Sequence, residues 1–297
     1  MRKRLFLTIV LAVTLAVNSC AQAAAESRAL SDIVNLKNNC YSCSFEGVKH
    51  DFILYLPEKA EGAPLVVLLP GYGNTAESFQ NSTHFEQTAN KEGYAVVYVT
   101  GAPNPNDPVS AVGWNSGIGT EGNDDVAFLA SLAEALQEQY ALDKTRIFAV
   151  GFSNGAFMTH RLAMEAGNTF SAFVSVAGLM PEKVWDDRKG KNDISFFQIT
   201  GEKDDVVPKN SDGSAEYAPA PAIEDVMTYW AMSNGLEKCE SEEIGKGSIL
   251  TKYRSDEKKN QVWTLFIKNG RHSWPNEKRC GIDANSLILA FFETVSD

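Results

Sequence analysis

Basic residues are scarce in this 297-residue chain: 27 Lys and Arg stand against 38 Asp and Glu, for a net charge of −11. Past the first four residues they form no cluster. An acidic chain without a basic patch is poorly suited to nucleic acid or to an anionic membrane, so neither is an expected partner. Downstream of residue 17 no apolar run approaches the roughly 20 residues of a membrane-spanning helix. Internal repeats, low-complexity tracts and Ser/Thr- or Pro-rich linkers are also missing, which argues for one domain. The four histidines are scattered without metal-ligand spacing, so no metal and no other cofactor is implied.

What is present begins with Met1-Arg2-Lys3-Arg4, an apolar run over 5–17 and the small-residue stretch Cys20-Ala21-Gln22-Ala23-Ala24-Ala25. A basic head, a short apolar core and an A-x-A site read as a secretory signal peptide over 1–23, with residues 24–297 as the mature domain. Secretion or a periplasmic location follows. Val17-Asn18-Ser19-Cys20 is also similar to a bacterial lipobox, although Asn18 departs from it. On that alternative Cys20 carries a lipid anchor. Beyond the leader lie Cys40, Cys43, Cys239 and Cys280. An even set in an oxidising compartment predicts disulfides, here Cys40 with Cys43 and Cys239 with Cys280. A zinc reading of Cys40-x-x-Cys43 lacks two further ligands.

Hydrophobic patterning predicts strands alternating with helices, hence an α/β fold with a mostly parallel sheet covered on both faces. Strands are expected over 52–56, 65–69, 94–99, 147–150, 172–176, 194–199 and 261–267. Helices are expected over 124–140, 223–233 and 283–295. Asp124 and Asp125 suit the positive end of the first of these helices. The segments 101–123 and 209–221 are too long and irregular for passive connections, and such loops overlie the carboxyl ends of the strands, where ligands bind.

Gly151-Phe152-Ser153-Asn154-Gly155 follows the strand at 147–150 and opens an amphipathic stretch. Strand, G-x-S-x-G turn and helix in that order form the nucleophile elbow of α/β-hydrolases, with Ser153 as nucleophile. A serine hydroxyl needs a base, and the base needs an acid to orient it. In this fold the chain order is serine, acid, histidine. His50 and His84 precede Ser153, and His160 lies two turns along the same helix. His272 remains, in a loop just after the last predicted strand. The acid belongs in the loop after 194–199, where Asp204 and Asp205 both qualify. Backbone N–H groups of Asn154 and Tyr72 are the expected oxyanion donors, since Pro70 has none to offer.

With these residues in place the chain resembles the polyhydroxybutyrate depolymerase/feruloyl esterase group of α/β-hydrolases, which overlaps carbohydrate esterase family one. The resemblance runs from about Gly47 to the C-terminus. It rests on Pro64-Leu-Val-Val-Leu-Leu-Pro-Gly-Tyr-Gly73, Gly113-Trp-Asn-Ser-Gly117, Asp124-Asp-Val126, Gly151-Phe-Ser-Asn-Gly-Ala-Phe-Met158, Gly201-x-x-Asp204-x-x-Val207-Pro208 and His272-Ser-Trp-Pro275. The family spacing implies Asp204, not Asp205, as the acid. One departure stands out, Pro70-Gly71 where the family usually has His-Gly.

The resemblance implies a serine esterase forming an acyl-enzyme, and the absence of a polymer-binding domain points to feruloyl or acetyl esters of plant cell-wall polysaccharide. Trp114 and Trp274 are candidates to stack on a sugar or aromatic acyl group, with packing as the alternative for each. A polyester depolymerase, an exopeptidase and an inactive binding protein on the same scaffold are the competing readings.

Overall fold

The computed structural model describes residues 30–106, 111–119, 121–188, 193–209 and 220–296. The expected leader, with Cys20, lies outside them. In chain order come β1 (Val34–Lys37), β2 (Cys40–Phe45), β3 (Val48–Tyr55), β4 (Leu65–Leu69), α1 (Ala76–Thr83), α2 (Phe85–Ala89) and β5 (Ala95–Val99). A short pair follows, β6 (Ala102–Pro103) and β7 (Val112–Gly113), then α3 (Asp125–Tyr140), β8 (Ile147–Phe152), α4 (Asn154–Glu165), β9 (Ala172–Val176) and α5 (Glu182–Asp186). The remainder is β10 (Ser195–Gly201), α6 (Ile223–Ser233), β11 (Lys238–Ile244), β12 (Ser248–Arg254), β13 (Val262–Ile267), α7 (Glu277–Cys280) and α8 (Ala284–Ser296).

Eleven strands form one sheet in the order β1-β2-β3-β5-β4-β8-β9-β10-β13-β12-β11. The central run from β5 to β13 is parallel throughout, as the alternation of strands and helices predicts. Antiparallel strands extend it at both edges. Those central strands are apolar on both faces because both faces are covered. Along β4, Leu65, Val67 and Leu69 join Phe128, Leu132, Phe157 and Met158 of α3 and α4 in one core. Val66 and Leu68 turn to the opposite face and join Phe79, Phe85, Phe291 and Phe292 of α1, α2 and α8. The stack of Phe148 on Phe292, centroids 4.1 Å apart, pins the last helix to the sheet. Truncating such a ring to Ala costs about 3–5 kcal/mol.

The parallel arrangement brings the carboxyl ends of β4, β8, β10 and β13 to one edge of the sheet. The loops carrying Tyr72, Ser153, Asp204 and His272 leave from these ends, and the segment carrying Trp114 follows β7. Asp124 caps α3, its side chain accepting from the Ala127 N–H, which agrees with the role expected for it.

The disulfide expectation is overturned. All four described cysteines are free thiols. Cys40 and Cys43 lie three residues apart on β2, so the pleat turns them to opposite faces of the sheet. Cys43 packs in one core while Cys40 packs against the other. Cys239 is exposed on edge strand β11 and Cys280 is buried on α7.

Candidate active site

Ser153 sits between β8 and α4 with φ 53° and ψ −117°, a backbone conformation that an L-residue adopts only when its surroundings impose it. Two glycines impose it. A Cβ on Gly151 would come within 2.0 Å of the Gly155 carbonyl oxygen, and one on Gly155 within 2.1 Å of the Leu69 carbonyl oxygen. Strand, helix and the neighbouring β4 therefore close to backbone contact around the serine. The Ser153 N–H donates to the Val176 carbonyl (3.0 Å), which ties the turn to β9 as well.

His272 and Asp204 meet as expected. The imidazole Nδ1 lies 3.0 Å from Asp204 Oδ2 and 3.2 Å from Oδ1, with the carboxylate side chain 1% exposed and the imidazole 14%. Asp204 Oδ1 also accepts from the N–H groups of Val206 (3.0 Å) and Val207 (2.8 Å), so the turn after β10 fixes the carboxylate. Asp205 faces solvent and pairs with Arg271 at 3.4 Å. Geometry thus separates the two neighbours that residue order left equal. Against its other side His272 carries Phe152, ring centroids 4.9 Å apart. Ser153 and His272 line the same cleft, and among the described residues the Ser153 hydroxyl makes no hydrogen bond.

The other described histidines are structural or exposed. His50 stacks on Phe128, and burial lowers its pKa to about 4. His160 stacks on Phe196 with Nε2 3.2 Å from Gln198 Oε1, and burial lowers its pKa to about 3. Neutral core imidazoles account for both. No group of His, Cys, Asp and Glu among the described residues could hold a metal ion.

Asn154 is the first residue of α4, so its N–H has no acceptor within the helix. Its side chain has a separate task. Asn154 Oδ1 accepts from the Trp114 N–H at 2.7 Å, and Nδ2 donates to the Trp114 carbonyl (3.3 Å) and Ser116 Oγ (3.2 Å). Trp114 Nε1 in turn donates to the Pro70 carbonyl at 3.0 Å. The Asn115 N–H donates to buried Asp125 Oδ2 at 2.6 Å, and Arg161 of α4 donates to the Asn115 carbonyl at 2.6 Å. Residues 113–116 therefore knot together the Pro70–Gly73 loop, α3 and α4. Asp125 does more than suit a helix dipole: burial raises its carboxyl pKa to about 7, and among the described residues Oδ1 has no hydrogen-bond partner.

The cleft at Ser153 has a volume of about 540 Å³. Trp114, named above as a substrate platform, is only 5% exposed and its indole N–H is engaged. An indole so placed forms wall and offers no free face for stacking. Trp274 borders a smaller neighbouring cavity, edge-on to Phe79 with Nε1 donating to Asn285 Oδ1. Tyr72 is the exposed aromatic of the cleft, at 47%, its ring over Gly113, where an added Cβ would meet it at 2.9 Å. Sequence reasoning used only its backbone. The signal was available, since an aromatic in a Gly-x-Gly turn has little core to enter.

Related sequence occurs in several known proteins, among them the three that follow. The match to the bifunctional acetylxylan esterase/xylanase XynS20E of Neocallimastix patriciarum is 26% identical over 54% of this chain and 22% of that protein. NocK of Nocardia uniformis subsp. tsuyamanensis, an esterase by its name, is 24% identical over 74% of this chain and 67% of its own. Acetylxylan esterase A of Emericella nidulans is 27% identical over 43% of this chain and 42% of its own. The chain thus spans less than half of two of these three. The acetyl xylan esterase from Aspergillus awamori superimposes with a TM-score of 0.62 over 90% of this chain and 99% of that one, at 15% identity. That likeness establishes the α/β-hydrolase fold. Residues 50–200, from β3 through the Ser153 elbow to β10, match the family described as esterase PHB depolymerase, and the chain belongs to that family.

Proposed function

We propose that the protein is a secreted serine hydrolase of carboxylic esters, acting on acetyl or feruloyl esters of plant cell-wall polysaccharide. The observation that carries the reading is the buried Asp204–His272 pair, which shares one cleft with a serine held at positive φ. Asp204 holds Nδ1–H of the imidazole and stabilises its charged form, leaving Nε2 to take the proton of Ser153 Oγ as it attacks the ester carbonyl. The N–H groups of Tyr72 and Asn154 stabilise the oxyanion, and a single such donor typically contributes about 10²–10³ in rate. The protonated imidazole then gives its proton to the leaving alcohol. Water, activated by the same base, releases the acyl group. None of these steps requires a cofactor.

Asn74, Asn104, Asn115 and Asn123 border the cleft, and carboxamides suit hydroxyl-rich ligands better than a polyester without free hydroxyls. Two of the relatives above are named acetylxylan esterases. Tyr72 takes the platform role first given to Trp114. The polyester reading keeps its place through the family itself.

The test is a hydrolysis series of p-nitrophenyl acetate, methyl ferulate, acetylated xylan and polyhydroxybutyrate, with a phosphonate ester to label the nucleophile. Acetylated xylan or methyl ferulate should be turned over faster than polyhydroxybutyrate, with the label on Ser153. Fast polyester turnover with neither of the others would reverse the substrate assignment. A label on another residue, or a folded Ser153→Ala variant retaining more than about a few per cent of activity, would overturn the mechanism.

A further inference from the structure

The chain is acidic overall, yet one side of His272 is cationic. A second cavity, of about 400 Å³, shares His272 with the Ser153 cleft. Val176, Ile199 and Ile267, at the carboxyl ends of three parallel strands, give it an apolar floor, and Lys268, Arg271 and Arg279 form its rim. No Asp or Glu is among the described residues that line it. Arg279 also borders the smaller cavity at Trp274, whose Gly71, Asn74 and Phe152 belong in turn to the Ser153 cleft. The cations therefore stand beside the reacting centre.

Their charge is largely available. Lys268 and Arg279 make no ion pair among the described residues, while Arg271 meets only the exposed Asp205 at 3.4 Å, a pair of little energetic weight. The acids near the cavity form no ion pair with Lys268 or Arg279 among the described residues. Glu202 accepts from the Asn269 N–H at 2.9 Å, and Asp204 lies beneath the imidazole. Glu277 is exposed on the same short helix as Arg279, and Glu243 lies near Gly247 beside Lys268. A cationic rim whose one ion pair is weak, in a chain of net charge −11, marks a place where an anion is attracted locally against the field of the whole protein.

Its position fixes which part of a substrate would reach it. The acyl group lies against Ser153 and the oxyanion donors. The alcohol leaves toward the imidazole that protonates it. We propose that this cavity binds a carboxylate carried by the alcohol portion of the ester, a uronic-acid unit adjoining the esterified sugar of an acidic polysaccharide. The apolar floor receives the C–H face of that unit, and Lys268 and Arg279 receive its carboxylate. This rests on the proposed esterase activity and narrows its substrate.

The experiment compares an acetylated xylo-oligosaccharide bearing glucuronic acid with the same compound carrying the uronamide in place of the uronate, which removes the charge without adding a second ester. The charged substrate should have about tenfold higher kcat/KM in about 0.01 M salt, equivalent to about 1.4 kcal/mol. That ratio should shrink in about 0.15 M salt, where the screening length falls from about 30 to about 8 Å. In Lys268→Gln/Arg279→Gln, both exposed sites, the ratio should approach one. A wild-type ratio near one, or a ratio that survives the double substitution, overturns the subsite while p-nitrophenyl acetate turnover in the same preparation leaves the esterase assignment standing. Absence of any ester turnover removes both. Free glucuronate should inhibit turnover of the charged substrate at lower concentration than acetate does; equal inhibition by the two would show a general anion effect and reject the uronate assignment.

Discussion

Trp114→Phe tests whether the 113–116 knot sets the geometry of catalysis. The substitution keeps an aromatic ring in the wall and deletes the Nε1–H that meets the Pro70 carbonyl at 3.0 Å. Pro70 lies two residues before Tyr72, so freeing its carbonyl frees the loop that carries one expected oxyanion donor. Leaving a buried acceptor unpaired costs about 1–3 kcal/mol, and the smaller ring adds a packing loss. The melting temperature should therefore fall by several degrees. Full removal of one oxyanion donor costs about 10²–10³ in kcat, and a displaced donor should cost less, about tenfold. The assay is steady-state kinetics well below the melting transition, on p-nitrophenyl acetate and on an acetylated xylo-oligosaccharide. A positioning defect lowers kcat on both by a similar factor and leaves KM nearly constant. The opposite pattern, a raised KM confined to the oligosaccharide with p-nitrophenyl acetate unaffected, would show that the indole reads the substrate and would refute the wall assignment.

Asp204→Asn should lower kcat by orders of magnitude, and Asp205→Asn by less than about twofold, because only the first carboxylate meets the imidazole; comparable losses on p-nitrophenyl acetate would move the acid elsewhere. Tyr72→Ala should raise KM for the oligosaccharide more than for p-nitrophenyl acetate, and Tyr72→Phe should restore most of the difference, since the ring and not the hydroxyl supplies the platform; no difference between the two substrates would remove the tyrosine from substrate binding. Burial holds the Asp125 carboxyl at about 7, above its ordinary 3.8. The native state therefore holds this proton more tightly than the unfolded chain. Its contribution to stability is full below about pH 3.8 and is lost as pH rises through about 7. Asp125→Asn retains an acceptor for Asn115, so the melting temperature of the variant relative to wild type should be more favourable near pH 8 than near pH 5; an equal offset at both values would place the ionisation elsewhere.

Much of this architecture is written locally in the chain. Leu65-Val-Val-Leu-Leu69, short and flanked by Pro64 and Pro70, reads as a strand buried on both faces, and it forms β4 with those bounds. The periodicity of 124–140 gives α3, and the elimination among four histidines ends on the one that meets Asp204. Edge elements were less legible. β11, Lys-Cys-Glu-Ser-Glu-Glu-Ile, has no apolar alternation because it is mostly exposed, and it pairs with β12 through backbone bonds that composition does not announce. α1 and α2 are short, and part of their definition comes from Thr75 capping and from packing on β5. The role of Trp114 was open for a related reason. A tryptophan in an irregular loop reads alike as platform or wall, and only the distance from its N–H to Pro70, 44 positions away, distinguishes them. The free thiols of Cys40 and Cys43 follow from which face of β2 each takes, information that spacing alone leaves out of view once the strand is unrecognised.

The left-handed backbone at Ser153 has an evolutionary consequence. Holding a non-glycine residue at φ 53° stores on the order of 1–3 kcal/mol in the native state. Glycine at that position would relax the turn at the cost of about 0.4–1 kcal/mol in unfolded-chain entropy, so the inert protein is at least as durable as the active one. Selection for persistence alone thus drifts away from the proposed nucleophile. Long-lived homologues with glycine in the elbow would be the natural dead ends of this lineage, and a thermostability screen run without an activity gate would recover the same loss.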